Sequence, residues 1–354
     1  MNAPVRLLIL FVLAAAVMSG CQTNEVVEPA TPVQIIKIAD GDYATNHYWV
    51  DTSYISLYEH YYQNRVPGDP RFFTDQVVEM QVWVQYQSVR HDPNERVATA
   101  YIGLPPKPGG SPYDLSFRNV APPDSSPGRI STQRFVRLDP TLYEIDQQGY
   151  TGILSLNSDV ADGLVVAVAY RRADGIQYGE LTRDRSDTLG NLVLKMVKPQ
   201  YLIVRGGYGD YMEAWDMLVK SIYHIPTMGG NLTAEGFRLD IFRANPGGAD
   251  RNTILGTPLL QIFGLDRYSG RDLQQATPDG MFDFIPGVTV NLDRDEAIFP
   301  DVRPFDQGIM DYFRSHGLPA PGAPYLRPTI YDTTQNFSGL DATNGYYIRA
   351  TLKP

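Results

Sequence analysis

Cysteine is nearly missing. The 354-residue chain holds one, Cys21, so no disulfide can form within it, and an exported form must be stabilised by its core alone. Histidine is also sparse: His47, His60, His91, His224 and His316 are scattered without metal-ligand spacing, and each reads as a surface or cap residue. The Gly-x-Ser-x-Gly elbow, the phosphate-binding P-loop and His-Glu-x-x-His are all absent, which removes the commonest hydrolase, nucleotide and zinc-protease readings. No apolar run reaches the roughly 20 residues of a membrane-spanning helix. Positive charge is in deficit: 30 Lys and Arg against 40 Asp and Glu leave −10. That balance argues against nucleic acid and against an anionic membrane surface as partners.

What is present begins with a leader. Arg6 supplies a positive n-region, Leu7 to Val17 an apolar run, and Met18-Ser19-Gly20-Cys21 a lipobox. Cys21 is therefore the expected lipid-attachment residue, and an ordinary signal peptide with a chance cysteine is the alternative. Three acyl chains would anchor the mature protein firmly, at about 0.8 kcal/mol per buried methylene. Gln22 follows in place of a retention-signalling Asp, which points to an outer-membrane lipoprotein at the cell surface or the periplasmic face. The organisation expected is a leader over 1–20, a lipidated tether over 21–45, and β-rich regions over 46–230 and 231–354 that are also readable as one continuous domain.

Twenty-three tyrosines favour sheets and half-exposed faces. The patterning predicts a mainly β protein of antiparallel, sandwich-like sheets with two or three short helices. Val77 to Gln87 alternates, placing Val78, Met80, Val82, Val84 and Tyr86 on one face and Trp83 among glutamines on the other. It reads as a half-buried soluble strand, since a membrane barrel needs at least eight such strands. Further strands are expected at Val33 to Ile38, Phe135 to Tyr143, Gly152 to Leu156, Leu164 to Arg171, Leu192 to Val197, Phe237 to Arg243, Leu259 to Phe263, Val288 to Leu292 and Tyr346 to Leu352. Asp162-Gly163 and Asp174-Gly175 mark hairpin turns. Helical spacing is read at Thr52 to Asn64, at Met212 to Tyr223 and from Phe305 to His316, with Gly317 as a left-handed cap. Leu104 to Arg129, rich in Pro, Gly and Ser, is a long loop.

One site survives inspection. Asp266, Asp279 and Asp283 bracket a Gly-containing loop, with Asp272 between, and calcium takes several carboxylate and carbonyl oxygens on such a loop. A type I′ turn carrying exposed acids is the plainer reading. Gly206-Gly207-Tyr208-Gly209 reads as a flexible loop rather than a phosphate site. Trp83, Trp215, Tyr61, Tyr62, Tyr346 and Tyr347 could line a sugar platform, but core and sheet faces are the usual place for such residues.

The chain also resembles the SprA/Sov family, the outer-membrane translocon of type IX secretion and gliding motility. Matching segments run in the family's order: Val78 to Val84 (VEMQVWV), Arg137-Leu138-Asp139, Tyr143-Glu144, Leu154 to Asn157 (LSLN), Leu164 to Tyr170 (LVVAVAY), Leu194 to Lys198 (LKMVK), Trp215 to Leu218 (WDML) and Lys220 to Tyr223 (KSIY). Phe237 to Ile241, Pro258 to Arg267, Pro278 to Phe284, Ile298-Phe299-Pro300, Ile330 to Thr334 and Tyr346 to Leu352 follow. Single pieces are weak; their collinearity carries the specificity. Family members are several times longer and bear a very large barrel, so the likeness covers only a soluble domain. It implies a non-enzymatic component of a secretion or motility apparatus, with outer-membrane secretion or motility proteins as partners and no cofactor. The alternative is a cell-surface lipoprotein module that binds glycan or peptide.

Overall fold

The computed structural model describes residues 33–64, 71–86, 94–107, 112–118, 128–182, 190–202, 212–227, 232–269, 276–333, 335 and 345–353. The alternating run after the second helix forms β3 (Val77–Gln85), which joins β4 (Glu95–Tyr101), β5 (Ile130–Arg137), β8 (Val166–Arg172) and β10 (Leu192–Lys198). Their order is β10-β4-β5-β3-β8, and a β10–β8 pairing closes the ring into a five-stranded barrel. The β10–β4 ladder is parallel and the other barrel ladders are antiparallel. β9 (Gln177–Tyr178) extends β8 through the hairpin at Asp174-Gly175.

The barrel is narrow, and its residues show how it is filled. Trp83, Phe135, Leu192, Leu194 and Met196 form one buried cluster with Ala98, Ala100, Ala167 and Ala169, contributed by all five strands. Small residues facing large ones let a tight bore pack without voids. The opposite faces of the same strands bury Val82, Val166, Val168, Tyr170 and Val197 in a second, larger core. This two-sided burial explains why β8 reads as an apolar run over Val166 to Tyr170 and why β10 is apolar apart from Lys195 and Lys198. It also corrects the face expected for β3. The ladder slips between Val77 and Glu79, leaving Val78 half exposed, while Trp83, placed among glutamines, is buried in the bore.

The larger core is enclosed by three small sheets. One has the order β1 (Gln34–Ala39), β17 (Tyr346–Leu352), β12 (Phe237–Arg243). Another has β2 (His47–Trp49), β7 (Ile153–Leu156), β6 (Tyr143–Ile145). The third has β11 (Ile222–His224), β16 (Glu296–Ile298), β15 (Val290–Asn291), and a two-residue ladder joins β13 (Thr253–Ile254) to β14 (Thr257–Pro258). One cluster takes side chains from Ile36 near the start to Ala350 near the end, so both β-rich regions share a core. Gly152 opens β7 with φ +65, and a Cβ there would lie 2.2 Å from the Tyr54 ring.

The helix over Thr52 to Asn64 forms as expected. Asp51 caps a 3-10 turn by accepting from Ser53 N–H, and α1 (Ile55–Asn64) buries Leu57, Tyr58 and Tyr62. α2 (Arg71–Thr74) is one turn. The last long helix also holds: a π-turn at Pro304–Gly308 leads into α5 (Ile309–Ser315), which Gly317 ends at φ +64.

Other expectations are corrected. The helix over Met212 to Tyr223 is only α3 (Met212–Asp216). Past it, Trp49 N–H donates to Met217 O, Val219 N–H donates to His47 O, and Ile222–His224 is a strand, so sheet pairing takes the main chain away from the helix. Leu259 to Phe263 is not a strand but α4 (Leu259–Ile262), ended by Gly264 at φ +66. The run over Phe135 to Tyr143 breaks at Arg137, where Asp139 caps a turn at Pro140–Leu142. Only Val290–Asn291 of Val288 to Leu292 is strand. The Asp162-Gly163 turn links strands of different sheets rather than closing a hairpin. α6 (Thr329–Asp332) is a further single turn that buries Ile330 and Tyr331.

Candidate functional site

The most concentrated chemistry in the described residues is a buried relay that joins two sheets. His47 stands opposite Ser155 on the β2–β7 ladder, and its Nδ1 lies 2.7 Å from Ser155 Oγ. Its Nε2 lies 2.9 Å from Glu296 Oε1 on β16. Each ring nitrogen donates or accepts according to the tautomer, so His47 bridges the Ser155 hydroxyl and the Glu296 carboxylate. The three side chains resemble a nucleophile–base–acid set in composition. Their geometry denies that use. His47, Ser155 and Glu296 are 1%, 2% and 4% exposed, so nothing can reach the serine oxygen. The relay instead satisfies three buried polar groups and ties β2 and β7 to β16. His47 is thus a core residue, against the expectation of a surface position. His224 is exposed, as expected, and His316 acts as a cap, its Nδ1 2.8 Å from Tyr312 O. His91 lies outside the described residues.

Asp146 sits beside this relay. Tyr62 Oη and Thr151 Oγ1 each donate to Asp146 Oδ2, at 3.1 Å. Burial pushes its carboxyl up to about 6, and the two hydroxyls and the charge of His47 oppose that rise without cancelling it. Below it, Arg294 clamps the end of β7: its Nε donates to Glu144 Oε1 at 2.9 Å, and its other nitrogens to Leu156 O, Ser155 O and Asn157 Oδ1.

Three lysines are buried, and each serves main-chain carbonyls. Lys195 Nζ donates to Ile102 O at 3.0 Å and lies 2.7 Å from Asp51 Oδ2. Burial raises the Asp51 carboxyl, but Lys195 and the Ser53 N–H outweigh it and hold it below the usual range. Lys198 Nζ donates to Leu164 O at 2.9 Å; burial pushes its amine down, with Asp162 opposing. Lys220 Nζ donates to Trp215 O at 2.8 Å and stands over the Trp215 ring. Arg118, buried in the Pro-rich loop, pairs with Glu180 through two hydrogen bonds and thereby pins that loop to the barrel.

The structure brings Asp266, Asp279 and Asp283 together but turns their oxygens to the main chain. Asp266 accepts from Asp279 N–H and Gly280 N–H at 3.0 Å each, Asp283 accepts from Arg267 N–H at 2.8 Å, and Asp279 accepts from Met281 N–H at 2.9 Å. Among the described residues no group of three His, Cys, Asp or Glu side chains could hold a metal ion. Asp272 lies outside them. Gly280 takes φ +82 while Asp279 does not enter the positive region, so the turn is not type I′. These acids organise a loop, which the sequence pattern alone could not distinguish from ligation.

Cys21 and Gly206 to Gly209 lie outside the described residues. Trp83, Trp215, Tyr62 and Tyr346 are buried, so no sugar platform can be built from them. A cleft of about 250 Å3 is lined by Val84, Leu138, Leu142, Leu156, Val160 and Leu164. No helix among the described residues is long and apolar enough to cross a membrane. No protein-family model matches the chain, and no curated protein matches it.

Proposed function

We propose that the chain is a non-enzymatic component of a type IX-like secretion or motility apparatus, a lipid-anchored domain that packs on or serves an outer-membrane translocon. The observation that carries this reading is the collinear set of segments resembling the SprA/Sov family. Their places in the fold support it. VEMQVWV falls on β3, LVVAVAY overlaps β8, LKMVK lies in β10, FRLDI lies in β12 and PLLQIFGLDR holds α4. The matched residues are core-forming ones from barrel and small sheets alike, so the likeness is to a whole domain rather than to a borrowed site. The lipobox at Cys21 supplies the anchor, and Val33 begins the described chain after a tether of about a dozen residues.

The buried relay supports a non-enzymatic role, because this nucleophile–base–acid set among the described residues is sealed from solvent. Deleting the gene in its native host and comparing the secreted and surface proteins tests the proposal. Loss of exported cargo or of gliding is expected. An unchanged secretome with unchanged motility would count against it.

A further inference from the structure

The outer face of the β1–β17–β12 sheet is a regular grid fixed by register. Ile35, Thr351 and Arg238 form one row, Lys37, Arg349 and Asp240 the next, and Tyr347 pairs with Phe242 in the third. The other face of these strands, with Ile36, Ile38, Leu239, Ile241 and Ile348, is buried in the core. These strands turn three cations, Lys37, Arg238 and Arg349, to the solvent side against Asp240, and Asp250 adds a second carboxylate beside Tyr347, on a chain whose total is −10. Two of these cations lie over aromatic rings: Lys37 Nζ is 4.5 Å from the Tyr347 ring centre and Arg349 4.3 Å from that of Phe242, while these two rings stack on each other. Arg349 also pairs with Asp240 at 2.7 Å, and Tyr347 Oη donates to Asp250. Ile35 is half exposed at the rim.

Cations, aromatic rings with polar tips and a rim aliphatic residue are the composition that rests at a membrane–water boundary. Position adds a second argument. β1 is the first described element, so the chain that runs from Cys21 enters the fold on this sheet. A segment of about a dozen residues reaches at most roughly 40 Å, which keeps the sheet near whatever holds Cys21. The excess negative charge argued against an anionic surface for the molecule as a whole. It does not do so for this face, since charges beyond about 10 Å are screened at physiological salt.

We propose that the outer face of the β1–β17–β12 sheet docks on anionic phospholipid headgroups of the bilayer and sets the orientation of the domain on its tether. Lys37, Arg238 and Arg349 meet the phosphates, and Tyr347, Phe242 and Ile35 settle at the headgroup level. The proposal takes from the preceding section only the membrane anchor, and its test does without that anchor.

The chain from Gln22 onward keeps every described residue, because these begin at Val33. Its sedimentation with phosphatidylcholine vesicles is compared with that on vesicles also containing phosphatidylglycerol. Binding at least about tenfold stronger to the anionic vesicles, weakened by salt, is expected. The Lys37→Glu/Arg238→Glu pair should remove that preference with an unchanged melting curve, whereas Arg134→Glu on the barrel should keep it. Equal binding to both vesicles would overturn the proposal. So would full displacement by millimolar inorganic phosphate, which would mean a soluble-anion site. Preference kept in the double variant would overturn it too. Failure of the anchor reading shows separately, as a full-length chain that does not float with host outer membranes.

Discussion

Replacing Asp146 by Asn should flatten the pH dependence of stability. The carboxyl titrates near 3.8 when free and is pushed to about 6 in the fold, first by burial. A folded-state pKa above the unfolded one means that folding disfavours the charged form. The stability this group contributes is therefore fully present below about pH 3.8 and is lost as pH rises through about 6. A shift of roughly two pH units is worth up to about 3 kcal/mol. Tyr62 and Thr151 both donate to the same carboxylate oxygen, which an amide oxygen can replace, so Asn keeps both bonds. Urea unfolding of the two proteins from pH 4 to pH 8 isolates the effect, because every other titrating group cancels in the difference. The two should agree near pH 4, and the Asn variant should be more stable by roughly 2–3 kcal/mol at pH 8. Curves that run parallel, or a variant that loses stability at high pH, would refute the reasoning.

Trp83→Ala empties the bore of the barrel and should cost about 3–5 kcal/mol in chemical unfolding. Trp83→Phe should cost much less, since the indole N–H finds no acceptor among the described residues; similar losses for both would contradict the packing described. Lys195→Met and Asp51→Ala should each destabilise by about 3 kcal/mol, and the double variant by clearly less than the sum, because each single change strands a buried partner. Simple additivity in that cycle would mean the two are not coupled. Asp266→Ala should lower stability by about 2 kcal/mol through the loss of two main-chain N–H acceptors, and chelator should leave the melting temperature of the parent unchanged; a fall with chelator would restore the calcium reading.

Much of the sheet framework was readable because alternation survives where one face meets solvent. β1, β12 and β17 show it directly, with Ile36 and Ile38 inward and Lys37 outward. β3 was legible as a strand, but the exposure of Val78 and the burial of Trp83 were not, because a bulge shifts its phase near Val78 and its far end is buried on both faces. α4 was missed because one turn of helix, Leu-Leu-Gln-Ile, is too short to show a period. The usable signal was Pro258 before it and Gly264 after it, the start and stop of a helix. The helix from Met212 was overextended because its stripe continues in the sequence, while β2 and β16 capture the main chain beyond Met217. The His47 relay had no local signal: its members lie 108 and 249 residues apart, and only the pairing of two sheets brings them together. The acidic loop was correctly gathered, but the sequence left calcium and a plain turn both open, since carboxylate spacing looks alike whether the oxygens meet a cation or main-chain N–H groups.

The central claim is that this domain works on a secretion or motility machine at the outer membrane. The most direct test is affinity capture of the full-length, C-terminally tagged chain from mildly solubilised outer membranes of its native host, with bound proteins identified by mass spectrometry. The account predicts co-capture of a large outer-membrane barrel together with secretion or motility components, all lost on Cys21→Ser. Capture of the chain alone, or with soluble proteins that persist in the Cys21→Ser variant, would contradict it.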